Sequence, residues 1–171
     1  MEQSNIYDIF NSVQMGNIHN VKQFVESGGN INSSENGTSL LSYTIIYNKF
    51  DIFQYLIDNG AITSTSDLVI AIENRRIQII DYLLEHSSNI DVNFADRKGN
   101  TIVMNAITMP NCFLQGDAHL DIIKCLIDHG ADINIKNKKL ESPLAKSVYR
   151  HQFRNLDARI VELLMHNNAL L

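Results

Sequence analysis

Apolar residues recur along this chain in one arrangement: two apolar positions, two variable ones, two more apolar, two polar, then a small residue. Ile52-Phe53-Gln54-Tyr55-Leu56-Ile57-Asp58-Asn59-Gly60 shows it in full, and Ile79 to Ser87, Ile122 to Gly130 and Ile160 to Asn168 repeat it. A further copy runs from Asn20 to Gly28, with Asn20 at the first apolar position. Apolar residues at i, i+1, i+4 and i+5 line one face of an α-helix, so the pattern predicts five helices with one buried stripe each. Gly28, Gly60 and Gly130 fall where a helix ends in a left-handed residue that favours the absence of a Cβ.

A shorter helical segment precedes each copy, most clearly in Gly99 to Ala106 and in Ser142-Pro143-Leu144-Ala145. Thr101 and Ser142 are placed to cap these helices through their hydroxyls, and Pro143 sits in the first turn, where its missing N–H costs nothing. Polar extended stretches such as Ala131 to Asn137 join one helix pair to the next. One pair cannot bury both faces of its stripe, so each unit is stable only against its neighbours. Burying one Leu or Ile stabilises by ~1.5–3 kcal/mol, and Leu56, Leu83, Leu126 and Leu163 are expected to carry much of it.

The small residue closing each long helix falls at 28, 60, 87, 130 and 168, giving steps of 32, 27, 43 and 38 residues. The short step lies where Ile62-Thr63-Ser64-Thr65 leaves no room for a hairpin. The long steps point to insertions between the two helices of the last two units, roughly Thr108 to Ala118 and Tyr149 to Leu156.

The unit resembles the ankyrin repeat, which reads approximately G-x-T-P-L-H-x-A, then G-H, then I-V-x-x-L-L-x-x-G-A-D-x-N. Ile122 to Asn134 matches the second half almost completely, and Gly99 to Ala106 matches the first half with Ile102 and Val103 in place of Pro-Leu. The resemblance covers about residues 4 to 169. It implies an all-α ankyrin-repeat solenoid of helix-turn-helix units joined by β-hairpin-like loops. Residues 1–171 then form a single domain with repeats at approximately 4–35, 36–64, 65–97, 98–138 and 139–171.

The resemblance also implies that a partner protein docks on hairpin tips and on the concave face of the inner helices. Carried over repeat by repeat, this selects Glu35, Asn36, Thr38, Ile46 and Tyr47 in the second repeat and Glu73 and Asn74 in the third. The fourth contributes Arg97, Lys98, Asn100, Thr108 and Met109; the fifth contributes Lys138, Lys139, Glu141, Tyr149 and Arg150. Each is also an ordinary surface position. Tyr47, Tyr149 and Arg150 stand out because Tyr and Arg dominate binding hot spots.

Charge changes the picture more than composition does. The chain carries a net charge of −5, yet seven of its 14 Lys and Arg lie between Lys136 and Arg159, against only Glu141 and Asp157. An acidic patch on a partner therefore suits the last hairpin and fifth repeat, and a basic partner suits the acidic first four. Nucleic acid is disfavoured by the overall acidity. A monomer is expected, with salt-sensitive self-association of basic end on acidic start as the alternative.

At 44% hydrophobic and 19% charged, the chain is too apolar for a disordered tail. No stretch approaches the roughly 18 apolar residues of a membrane span. The opening segment lacks the basic and apolar blocks of a signal peptide. These features set a cytoplasmic location, or export without a classical leader, as the expectation.

Chemistry-bearing residues give little sign of catalysis. His86, His129 and His166 recur near the ends of long helices, one repeat apart, which favours structural roles over a shared ion; His119 fills the G-H position. Cys112 and Cys125 lack CxxC spacing, so neither a disulfide framework nor a zinc site is expected, and Cys125 reads as a small buried hydrophobe. No phosphate loop, HExxH or GxSxG is present. The expectation is a protein-binding module with no catalytic residues, metal or cofactor. An antitoxin-like inhibitor of a basic toxin and a host-directed effector are narrower alternatives. The polar first repeat suits a cap, and Ala169-Leu170-Leu171 is expected to fold back over the last helix.

Overall fold

Helices form where the apolar stripes predict them. The computed structural model describes residues 2–109, 118–154 and 158–170, with side chains from Asp8 to Tyr149 outside the first gap and again from Ala158. Ten helices are present among these: α1 (Glu2–Met15), α2 (Ile18–Glu26), α3 (Leu40–Ile46), α4 (Phe50–Asp58), α5 (Thr65–Glu73), α6 (Ile77–His86), α7 (Ile102–Thr108), α8 (Ala118–Asp128), α9 (Pro143–Arg154) and α10 (Ala158–His166). They fall into five consecutive pairs, an all-α repeat architecture. The chain divides into two compact units, Met1–Ile79 and Ile80–Leu171.

In the first unit α1 packs on α2 and α3, and α3 packs on α4 and α5. Phe10, Val13, Val21, Leu40, Ile45, Phe53, Leu56 and Leu68 are almost wholly buried there. A carboxylate lies within this apolar packing. Asp67, itself buried, accepts from the Ser64 N–H at 2.9 Å and the Ser64 hydroxyl at 2.7 Å, and its other oxygen accepts from the Ser42 hydroxyl at 2.8 Å. It thus caps α5 and ties that helix to α3. Arg76 adds a second tie: Nε and Nη2 donate to the carbonyls of Ile45 and Ile46 at the end of α3.

In the second unit α7 packs on α8 and α9, and α10 packs on α8 and α9. The hydroxyls of Thr101 and Ser142 accept from the N–H groups of Met104 and Ala145, as the sequence predicts. The stacked leucine of the last pair is Leu164, fully buried, and not Leu163, which is half-buried. Leu164 holds the place of Leu126, because the helix ends at Asn168 and Gly130 superpose in pattern: both have positive φ, and Ala169 and Ala131 bond back to Leu164 and Leu126.

The connecting fingers differ from repeat to repeat. Two residue pairs form β1 (Ser34–Glu35) and β2 (Thr38–Ser39), joined by Asn36-Gly37 with φ of 50° and 80°, the tight turn that a two-residue hairpin demands. The next connection has no strand, in keeping with its short step. The finger at 95–101 keeps one bridge, Ala95 to Thr101, and the finger at 137–141 a single turn closed by the Asn137 N–H on the Glu141 carbonyl.

Two polar devices recur. At the end of each long helix from the second pair onward, a side chain bonds the carbonyl four residues back: Asn59 to Tyr55, His86 to Tyr82, His129 to Cys125, Asn167 to Leu163. Asparagine and histidine share this place, so the histidines there serve as helix-end caps, and His166 makes the same bond one residue earlier, to Glu162. The second device is an asparagine whose Oδ1 accepts a backbone N–H from the end of the following pair: Asn32 from Ile62, Asn93 from Asp132, Asn134 from Leu170. The chain end is therefore held by its backbone, but Leu170 leaves its side chain exposed rather than covering α10.

The long insertions are only partly loops. The one placed at Tyr149 to Leu156 is helical as far as Arg154, since α9 runs for 12 residues where α7 and α3 have 7. Most of the other, including Cys112, lies outside the described residues.

Candidate functional site

The fingers of the fourth and fifth repeats lie against each other in the second unit and frame a groove of about 540 Å³. Asp96 organises the first finger: Oδ1 accepts from the N–H groups of Lys98 at 2.8 Å and Asn100 at 2.9 Å, and Oδ2 accepts from the Asn100 amide at 3.2 Å. Asn137 fills the same place in the next finger, its Oδ1 accepting from the N–H groups of Lys139 and Glu141. Being an amide it also donates, to Glu141 Oε2 at 2.8 Å and to Asn100 Oδ1 at 2.9 Å. The backbones meet as well, with the Lys138 N–H on the Lys98 carbonyl at 3.1 Å. That approach requires glycine at 99, where φ is 77° and a Cβ would stand 3.0 Å from the Lys138 nitrogen.

This frame fixes the charges. Arg97, Lys98, Lys138 and Lys139 are exposed on the two fingers, and Lys146 approaches from α9 to 3.6 Å from Glu141. Asp96 and Glu141 are the acidic members of the groove lining, with Asn105 and Thr108 on α7. Burial alone would raise the Asp96 carboxyl, but the N–H and amide of Asn100, the Lys98 N–H and Asn105 together hold it below its ordinary value. The Asn137 amide, followed by Lys146 and Lys139, holds Glu141 below its own, against burial. Both acids are thus engaged with the frame, and the outward cations set the sign of the surface.

Leu140 is the residue that sequence reasoning missed here. It occupies the finger tip with φ of 63° and is 78% exposed, where the other fingers carry Gly37 and Gly99. A leucine held left-handed costs roughly 1–2 kcal/mol, and strain of this kind clusters at functional positions. The signal was available: a leucine at the position of two glycines.

The remaining expected residues scatter. Tyr149 on α9 is 61% exposed; Arg150 follows it in the same helix, its side chain outside the described residues. Asn100 is buried as part of the frame, its amide bonded to Asp96 and Asn137. Thr108 lines the groove while its hydroxyl donates to the Met104 carbonyl, and Met109 is half-buried.

In the first unit Asn36 is exposed at its hairpin tip, with Glu35 and Thr38 paired behind it. Glu35 accepts from the Tyr43 hydroxyl at 2.8 Å, and that bond, aided by burial, raises the Tyr43 hydroxyl above its ordinary value. Tyr43 stacks edge-on against Phe10 and, tilted, against Tyr47, which is 38% exposed. Ile46 is half-buried. Glu73 is exposed, but Asn74 uses its amide to cap the Ile70 carbonyl of its own helix.

Among the described residues, Asp81, Cys125 and His129 form a group of potential metal ligands, with one donor atom from each within 4.8 Å of the others. Spacing along the chain gave no warning of it, because Asp81 stands 44 residues before Cys125 and joins it only through packing of neighbouring repeats.

The family model for ankyrin repeats, three copies, matches residues 63–137. Residues 63–137 thus carry ankyrin repeats. That stretch holds the third and fourth pairs and the frame residues Asp96, Asn100 and Asn137. Ankyrin repeats are generally protein-interaction modules and typically non-enzymatic. An ankyrin repeat protein of Acanthamoeba polyphaga mimivirus is 27% identical over 141 residues, covering 72% of this chain and 39% of its own length. A second from that virus is 34% identical over 99 residues, 57% of this chain and 12% of the relative. One from Fowlpox virus is 28% identical over 132 residues, 71% of this chain and 36% of the relative. The chain thus spans about two fifths or less of the curated ankyrin repeat proteins it matches. Among the described residues, no helix is long and apolar enough to cross a membrane.

Proposed function

We propose that this chain is a protein-binding module whose finger groove takes an acidic segment of a partner protein. The observation carrying this reading is the joined frame of Asp96, Asn100 and Asn137, which holds Arg97, Lys98, Lys138 and Lys139 outward along two adjacent fingers. Charge complementarity of this kind raises the rate of encounter and selects the partner, while affinity comes from apolar anchors. Leu140, strained and exposed at the tip of the second finger, supplies an anchor beside the cations. No catalytic role is assigned to any residue of the groove, since its two acids are both engaged in hydrogen bonds that build the fingers.

The test is a partner captured by the wild-type chain and then compared across variants. Lys98→Glu/Lys139→Glu should weaken its binding at least tenfold, and the loss should shrink at high salt. Lys124→Glu, a single charge reversal on the exposed face of α8, should leave binding within twofold. Equal binding by all three proteins would place the docking surface elsewhere.

A further inference from the structure

We propose that Asp81, Cys125 and His129 form a zinc-binding site that links α6 to α8, with a water completing the coordination. Cys125 lies on α8 and His129, four residues on, just past its end, and Asp81 approaches them from α6. Sγ of Cys125 lies 3.7 Å from Asp81 Oδ1, and His129 Nε2 lies 3.7 Å from the same oxygen. Sγ approaches the imidazole through Nδ1 at 3.7 Å, and one donor atom from each residue lies within 4.8 Å of the others. Metal bonds of about 2.0–2.3 Å at tetrahedral angles put ligand atoms roughly 3.3–3.6 Å apart, so closing the site takes rotamer shifts that bring Nε2 and Sγ together.

The imidazole is already set for this role. Its Nδ1 lies 2.9 Å from the Cys125 carbonyl, and an N–H donated there leaves the Nε2 lone pair directed at Asp81. Ligating histidines are held in this way by a bond from the other ring nitrogen. One thiol, one imidazole and one carboxylate suit a borderline-soft divalent ion rather than calcium or magnesium. Asp81 is 54% exposed, so an ion and its water have access from solvent.

The group is not a by-product of the repeat. The place of Cys125 is taken by Gln23, Tyr55, Tyr82 and Leu163 in the other long helices, and the place of His129 by Ser27, Asn59, His86 and Asn167. Thiol and imidazole coincide only in the repeat that also meets a carboxylate. The Asp81 carboxylate lies 3.7 Å from the sulfur, a charge that a divalent cation would neutralise.

The test uses the full chain in a Cys112→Ser background with a non-thiol reductant, titrated with Co2+ as the spectroscopic probe. One ion per chain should bind with a thiolate-to-cobalt charge-transfer band, which Zn2+ displaces. Cys125→Ser should abolish the band, and Asp81→Asn should weaken affinity at least tenfold. His129→Asn is the cleanest variant, because asparagine caps the same carbonyl in two other repeats: it should lose metal at least tenfold while the metal-free Tm stays unchanged. Zinc at a hundredfold excess over Kd should raise the wild-type Tm by about 5–10 °C. A titration without the band, a band that survives Cys125→Ser, or equal affinity in Asp81→Asn would overturn the site.

Discussion

Asn137 donates from Nδ2 to Asn100 Oδ1 across 2.9 Å, joining the buried roots of two successive fingers side chain to side chain. Its other bonds hold the Lys139 and Glu141 N–H groups and the Glu141 carboxylate. Asn137→Ala strips an acceptor from two N–H groups and a donor from two oxygens. A cost of about 2–3 kcal/mol is expected, since several polar groups lose partners at a partly dry site. Urea unfolding followed by far-UV circular dichroism would measure it; a loss under 0.5 kcal/mol would mean that water replaces the frame freely.

Leu140→Gly separates stability from binding. Glycine adopts φ of 63° without the steric cost borne by leucine, so the variant should be more stable by about 0.5–1 kcal/mol after allowing for the added freedom of the unfolded chain. Its affinity for the captured partner should fall several-fold. Gain in both properties would show that Leu140 contacts nothing.

The two acids of the groove give a pH dependence. Asp96 and Glu141 both bind protons less readily when folded than their ordinary values of 3.8 and 4.5. The unfolded chain therefore takes up protons first as pH falls. Their stabilising contribution is complete above the ordinary values and disappears as pH drops through the lower folded ones. Unfolding midpoints of the wild type between pH 3 and 6 should show this fall, and Asp96→Asn, which copies the natural amide at position 137, should flatten part of it.

Asp67 carries the sharpest expectation in the first unit. Asp67→Ala leaves the Ser64 N–H, the Ser64 hydroxyl and the Ser42 hydroxyl without their shared acceptor. Together with loss of the α5 cap, this should cost about 2–4 kcal/mol. Hydrogen exchange would locate the damage, with protection falling in α3 and α5; uniform loss across the chain would contradict a local tie.

The helix pairs were legible because one stripe of apolar residues recurs with its register intact from Val21 to Leu164. With adjacent leucines at 163 and 164 the expectation named the half-buried one, although the stripe counted from Ile160 puts Leu164 at i+4; the helix-end bond of Ala169 to Leu164 agrees with that count. The extension of α9 was hidden because Tyr149 to Arg154 breaks the stripe without carrying a helix stop. The basic fingers were visible as a run of charge, but the frame beneath them was not. Asn100 reads as a docking residue, and Asp96 gives no signal, until their hydrogen bonds are drawn. Asp81, Cys125 and His129 were out of reach, because no spacing rule relates residues that meet across two repeats.

The asparagines at 32, 93 and 134 accept N–H groups 30, 39 and 36 residues further on, yet the bonds all measure 2.7–2.9 Å. The joint is therefore indifferent to how much chain lies inside a repeat. A segment from Phe94 to Asn134 starts just past one acceptor and finishes on the next, so an in-frame duplication of it would offer its neighbours the same asparagine-to-N–H joint it received. Repeat number in such a gene can grow or shrink by recombination without inventing a new junction, which leaves the fingers free to diverge in sequence while the count changes.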